Sequence, residues 1–304
     1  MTLLPKFHGE ARLGPVQDPG NDPLVGHNPI NINALKESIA HLERSAPFGD
    51  PTRSRSSARH SPWGKHKDQG VILGLPTMDT HLPWKSLPRG ALHEFAGAGA
   101  DREQAAASAG FAALWLARLQ KAGPVLWVAH AAGLKAVDLH AHGLRRFGLD
   151  PRRLIVVAAR RDEEILWAME EGLKARGLSA VLGEIGKLDL TASRRLQLAA
   201  EAGGVAAFVL RRWRLMAAAE REAAQPIAAL TRWRVAGLKG GNGGIHWRVD
   251  LARCRGGRPG SWILTEEEAD GANTIHAAPL SGDLAEALAG RSLAPRASAR
   301  RAAG

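Results

Sequence analysis

A polyphosphate is gripped by a glycine-framed loop spaced GxxxxGK[ST], in which the lysine meets the terminal phosphates and the hydroxyl residue holds magnesium. The stretch Ala91–Gln104, A-L-H-E-F-A-G-A-G-A-D-R-E-Q, has the opening of that loop and lacks its grip. Gly97 supplies the first glycine. Counting forward puts Arg102 at the second glycine, Glu103 at the lysine and Gln104 at the Ser/Thr. A glutamate in the lysine's place sets negative charge where a polyphosphate must lie. The reading is therefore a degenerate phosphate loop, with no bound cofactor and no catalytic residue expected. The helix that follows presents free N–H groups of the kind that attract anions, but Asp101 and Glu103 already occupy that end.

A second constellation is basic. Arg211, Arg212, Arg214, Arg232, Arg234, Arg248, Arg253, Arg255 and Arg258 are interleaved with Trp213, Trp233, Trp247 and Trp262. Alternating aromatics and cations suit single-stranded nucleic acid, with bases stacked on indoles and phosphates on guanidiniums. These arginines are the candidate contacts for DNA or for a partner. Strand alternation offers another arrangement, in which Trp233 and Trp247 point inward while Arg232, Arg234 and Arg248 point out. A metal centre is not expected: His140 and His142 are two apart on a predicted helix and do not share a face, and His60 and His66 have no ligand-spaced neighbours. Cys254 is the one cysteine, which excludes an internal disulfide framework and a cysteine zinc cluster. Its expected place is as a small residue in a strand. Glu266, Glu267 and Glu268 read as a solvated turn.

The elements that must position these groups alternate. Strands are predicted at Ala91–Phe95, Pro124–Ala129, Leu154–Ala158, Leu178–Glu184 and Val205–Leu210. Helices are predicted over Arg102–Lys121, Val137–Phe147, Glu163–Arg176 and Thr191–Ala202. That alternation implies βαβ units and a mostly parallel central sheet flanked by helices, an α/β fold. The strands are apolar at nearly every position, as when both faces are covered. After about residue 225 the texture changes to β-type alternation at Ala229–Leu238, Gly244–Cys254 and Ser261–Thr265, with Gly/Asn turns between, which predicts an antiparallel extension. The core is thus expected at 71–280, with the extension over 225–280. Before it come a flexible arm at 1–30, a short helix at 31–46 carrying Leu35, Ile39 and Leu42 on one stripe, and a basic linker at 47–70. After it come a short helix and a disordered basic tail at 281–304.

Composition bounds the function class. The 304 residues are 45% hydrophobic and 23% charged, as in a globular protein. No stretch approaches the roughly 20 apolar residues of a membrane span, and MTLLPKFHGE does not read as a signal peptide. These features predict a cytoplasmic protein with no membrane partner. The net charge is +11. Residues 205–260 hold eleven Lys/Arg against three acids, and the last fourteen residues add Arg291, Arg296, Arg300 and Arg301. Such clustering points to a polyanion or an acidic protein face, while an arginine-rich, high-GC composition produces the same count without a partner.

Gly74-Leu75-Pro76-Thr77-Met78-Asp79 resembles the G-x-x-x-L-D turn of RecA-type ATPase cores. Ser86-Leu87-Pro88-Arg89-Gly90 and the strand after it resemble the G-L-P-x-G turn and first core strand. Trp247-Arg248-Val249-Asp250-Leu251 with Arg253-Cys254-Arg255-Gly256-Gly257-Arg258-Pro259-Gly260-Ser261-Trp262 is similar to the C-terminal signature of the ImuA family. These are the RecA-like members of a bacterial mutagenesis cassette that also encodes ImuB and an error-prone polymerase. The resemblance spans about residues 71–265 and implies a RecA-like P-loop NTPase core. It also marks two further positions. His130 stands where RecA-type enzymes carry the glutamate that activates water, and Glu184 where an aspartate supports magnesium. The resemblance implies a non-catalytic accessory protein of SOS-induced translesion synthesis, with ImuB as partner and with RecA and single-stranded DNA as further ones. The alternatives are an active DNA-dependent ATPase or recombinase, with Arg102 replacing the lysine, and a SulA-like cell-division inhibitor.

Overall fold

Short apolar runs separated by helices of 10–20 residues leave a chain little choice but to stack strands side by side and cover both faces. The computed structural model describes residues 70–131, 139–175, 177–239, 244–269 and 272–280, together with Glu37, which is helical. Among them, β1 (Leu92–Gly97), β2 (Val125–His130), β3 (Leu154–Ala159), β4 (Ala180–Ile185), β5 (Ala206–Arg211) and β6 (Thr231–Gly237) lie parallel in the order β3-β2-β4-β5-β1-β6. Beyond β6 the strands β7 (His246–Cys254), β8 (Gly260–Ala269) and β9 (Ala272–Pro279) are added antiparallel. The α/β class, the mostly parallel sheet and the antiparallel C-terminal extension are as the sequence implies. The expected arm, the rest of the 31–46 helix, the linker up to residue 69 and the segment 281–304 lie outside the described residues.

The helices longer than one turn are α1 (Asp101–Leu119), α2 (Ala141–Arg146), α3 (Asp162–Lys174), α4 (Leu190–Gly203) and α5 (Met216–Ala224). One face of the sheet packs on α1, where Phe95, Phe111, Trp115, Phe208 and Trp233 are fully buried. The other packs on α3 and α4 through Ile165, Met169, Leu173 and Leu196. The helix ends follow local rules. Asp189 caps α4 by accepting from Ala192 N–H at 2.7 Å, and three acids occupy the first turn of α3, against the positive end of its dipole. Before β1, the Asp79 carboxylate accepts from the backbone N–H groups of Leu73, Gly74 and Leu75 at 3.0–3.2 Å and closes the 74–79 turn.

Three expectations need correction. Glu266–Glu268 do not form a turn; they continue β8, and the Glu266 carboxylate, with 5% of its side chain exposed, binds Arg146 and accepts from Ile245 N–H at 2.9 Å. An acid run fits a strand here because one of its members has a cation and a backbone donor waiting. The helix α5 and the strand β9 are additional to the predicted elements. The helix expected over Val137–Phe147 is seen as α2 alone, residues 132–138 lying outside the described set.

Candidate functional site

The loop after β1 holds only Ala98, Gly99 and Ala100 before α1 begins. Ala98 N–H donates to the Val235 carbonyl at 2.9 Å, and Asp101 N–H, at the helix start, donates to the Trp213 carbonyl at 2.8 Å. A donor that would otherwise face an anion is thus satisfied by the protein's own backbone. Gly97 is glycine for a steric reason: a Cβ there would lie 2.6 Å from Cβ of Gln104. Gln104, at the Ser/Thr position, turns its Oε1 to accept from Gly237 N–H at 2.7 Å and ties α1 to β6. Arg102 and Glu103 lie in the first turn of α1; their side chains are outside the described residues. Met216 of α5 closes the loop from above, its sulfur 3.2 Å from where a Gly99 Cβ would stand.

Beneath the loop is a bidentate ion pair. Arg212, just past β5, donates from Nε and one Nη to the two carboxylate oxygens of Glu184 on β4, both at 3.0 Å, and from its other Nη to the Ala105 carbonyl at 3.3 Å. Trp127 on β2 adds an N–H bond to Glu184 at 3.0 Å. Burial pushes the neighbouring Asp101 carboxyl up, with Arg212 opposing. His130 is engaged elsewhere: its Nε2 meets Asp162 at 2.8 Å, and Asp162 also accepts from Lys187 N–H at 2.9 Å. His130 and Glu184 are thus both engaged by side chains of the same chain, and the Arg212 guanidinium already holds a carboxylate.

Sheet register decides the fate of the arginines. In parallel pairing Glu94 stands beside Arg232, and Ala96, two residues on and on the same face, stands beside Arg211 and Arg234. The buried Glu94 carboxylate therefore collects three guanidiniums: Arg232 at hydrogen-bond distance, Arg234 at 3.7 Å and Arg211 at 3.8 Å. Glu222 of α5 adds a second carboxylate to Arg211 at 2.7 Å. The Trp213 ring lies 5.2 Å from the Arg211 guanidinium and 5.4 Å from that of Arg234. Arg211 is completely buried and, in this state, faces no outside phosphate. Arg248 pairs with Asp250 on its own strand at 3.0 Å. Trp213, Trp233, Trp247 and Trp262 are all buried, so the inward arrangement of tryptophans holds, while the face opposite them on β6 is itself covered.

The remaining candidates are exposed but stand at opposite ends of the sheet. Arg214 lies just before α5, near the loop. Arg253, Arg255 and Arg258 lie on and beside the β7–β8 turn, at the end where the parallel strands begin. The nine arginines thus form no single surface. Glu94, which organises the buried set, is the site residue missed by motif reading; its signal is a lone acid inside an apolar strand, a charge that must find a partner once buried. Cys254 is buried on β7, and its thiol is pushed up to about 11 by burial.

No family model matches the chain. Proteins from two strains of Caulobacter vibrioides, both described as "Protein ImuA", are similar to it. Each is 40% identical over 210 residues, spanning 66% of this chain and 84% of the relative.

Proposed function

The chain belongs to the ImuA family, and from that premise we propose that it is a non-catalytic, RecA-like accessory protein of SOS-induced error-prone translesion synthesis. It acts through contacts with ImuB, and with RecA as a second partner. The parallel order β3-β2-β4-β5-β1-β6, with a glycine loop leading from the interior β1 into a long helix, supports the RecA-like reading. The observation that carries the non-catalytic reading is the Arg212–Glu184 pair. It neutralises the Arg212 guanidinium and engages the carboxylate that would serve a metal. A nucleotide would have to break a partly buried bidentate pair, and separating such a pair leaves two uncompensated charges.

The expected outcome is nucleotide silence. Titration calorimetry with magnesium ATP near millimolar concentration shows no saturable heat, and hydrolysis stays at background with or without single-stranded DNA. Saturable binding that is lost in Arg102→Ala would establish the ATPase alternative instead. Partnership is tested separately, by co-purification with ImuB and by damage-induced mutation frequency in a strain lacking the gene. Deletion of 31–46 or of 291–304 reduces ImuB capture in at least one case, whereas Gln104→Ala leaves mutagenesis intact. Normal mutagenesis in the deletion strain would remove the assignment.

A further inference from the structure

A sheet has two edges, and this chain treats them differently. At one end of the strand order stands β9, at the other β3. The edge at β9 is blunted: the strand ends in Pro279, which has no N–H to offer, and its Ala277 carbonyl accepts from the Thr77 hydroxyl at 3.0 Å. The strand β3 reads L-I-V-V-A-A, with no proline, glycine or charge inside it. Ile155, Val156, Val157 and Ala158 are all partly exposed. Val156 packs on the α1 side of the sheet, Ile155 and Val157 on the other. A bare apolar edge of this kind is a template for another strand, and native sheets ordinarily guard theirs.

The register shows which backbone groups are open. Ala159 C=O accepts from Ala131 N–H at 2.8 Å, so Ile155, Val157 and Ala159 turn their peptide groups toward β2, while Leu154, Val156 and Ala158 turn theirs outward. Both ends of the outward row are closed locally. Leu154 N–H donates to the Pro151 carbonyl, and Arg160 N–H donates to the Glu164 carboxylate at 2.9 Å. Between them the N–H groups of Val156 and Ala158, and the carbonyls of Leu154, Val156 and Ala158, bond to no described residue. That row fits an added strand of about five residues.

Charge brackets the opening. Arg152 and Arg153 precede β3 and Arg160 follows it; all are exposed, and none forms an ion pair among the described residues. The nearby acids are mostly engaged. Asp150 accepts from Arg152 N–H at 3.0 Å, Asp162 meets His130 at 2.8 Å, and Glu164 pairs with Arg161 at 3.0 Å. Glu163, exposed on α3, remains. A second β3 does not fit this edge. Two-fold antiparallel pairing centred between Val156 and Val157 sets Arg153 against Arg160 of the other copy; centring on Val156 sets Arg152 against Arg160, and on Val157 Arg153 against Arg161. Like charges directly opposite are unfavourable in each case.

On the reading that the chain acts through protein contacts, we propose that the outer edge of β3 receives an extended segment of a partner protein, apolar at its centre and acidic at its flanks. The open N–H and C=O groups hold its backbone. Its alternate apolar side chains cover Ile155 and Val157 on one face and Val156 on the other, and its acids meet Arg152, Arg153 and Arg160.

The test uses full-length protein to select from a displayed library of random peptides of about twelve residues, with affinities then read by fluorescence anisotropy. The selected peptides carry a central alternation of β-branched residues between acids. Ala158→Pro deletes an outward N–H while leaving the bonds to β2, and it weakens their binding about tenfold. Joint reversal of Arg152, Arg153 and Arg160 to Glu weakens binding at low salt and much less at high salt. Circular dichroism checks the folding of each variant, and the charge reversal, confined to exposed side chains, decides alone if the proline variant does not fold. Peptides that bind folded Ala158→Pro as tightly as the parent overturn the site, as does a selection that yields base-flanked peptides or none. Self-association of the parent by light scattering, lost in Ala158→Pro, overturns it in favour of a segment from a second copy. Nucleotide silence and ImuB capture are read in separate assays, so failure here leaves the proposed function standing.

Discussion

His93 shows what burial does to one titratable group. Its Nε2 donates to the Pro88 carbonyl at 2.9 Å, and its Nδ1 meets the Thr231 hydroxyl at 2.9 Å, which in turn accepts from Trp233 N–H at 3.0 Å. Burial holds the imidazole neutral and lowers it from 6.5 to about 4. The unfolded chain takes up this proton near pH 6.5 and the folded one only near 4, so the contribution is fully present above 6.5 and is lost as pH falls through that window. The loss amounts to about 3 kcal/mol. Urea unfolding measured between pH 7 and pH 4 shows that slope in the parent and a flatter one in His93→Gln. Legibility at this scale depended on whether a residue's partner was local. Gly97 and Asp79 belong to short motifs and are readable in place. Glu94 and His93 answer to Arg232 and Thr231, more than a hundred residues away, and only the pairing of β1 with β6 brings them together.

At the scale of elements, the β7–β8 turn is the part most exposed to a single change. Gly257→Ala puts a methyl group 2.3 Å from a backbone oxygen, an overlap that no side-chain rotation relieves. The expected cost is about 2 kcal/mol or more, read as a lower midpoint in thermal unfolding. Ala252, exposed on β7, is a control: Ala252→Ser leaves the midpoint unchanged. The parallel strands were legible because each is a bounded apolar run. The helix α5 was not. Its M-A-A-A-E-R-E-A-A favours a helix residue by residue, but the side it buries is only alanine, and it is held by Arg211–Glu222 and by Ala219 packing on Trp213. The strand β9 escaped for a similar reason, since Ala, Asn and Pro favour strands weakly and, among its described side chains, Ile275 and Ala277 face the core.

For the whole molecule, the number of candidate arginines overstates the cations available to a partner. Five of the nine candidate arginines (Arg211, Arg212, Arg232, Arg234 and Arg248) are engaged with carboxylates of the same chain. Nine phosphate contacts would give a log–log salt slope of about −6, whereas the four candidates outside those pairs give about −3. An observed slope near −2 to −3, from binding titrations, therefore goes with the divided arrangement, and one near −6 would mean that the internal pairs open on binding. Among the described residues no helix is long and apolar enough to cross a membrane.

The sealed loop also sets the routes by which such a chain can change. Gln104→Thr would supply a hydroxyl and forfeit the bond to Gly237; Glu184→Asp would shorten the carboxylate and slacken its hold on Arg212 and Trp127. Each step toward a phosphate grip gives up a contact that exists before it gains one that works only when all are in place. Reversal thus runs uphill through less stable intermediates, and the fold behaves as a ratchet, keeping the outline of a nucleotide site while blocking single-step return to one.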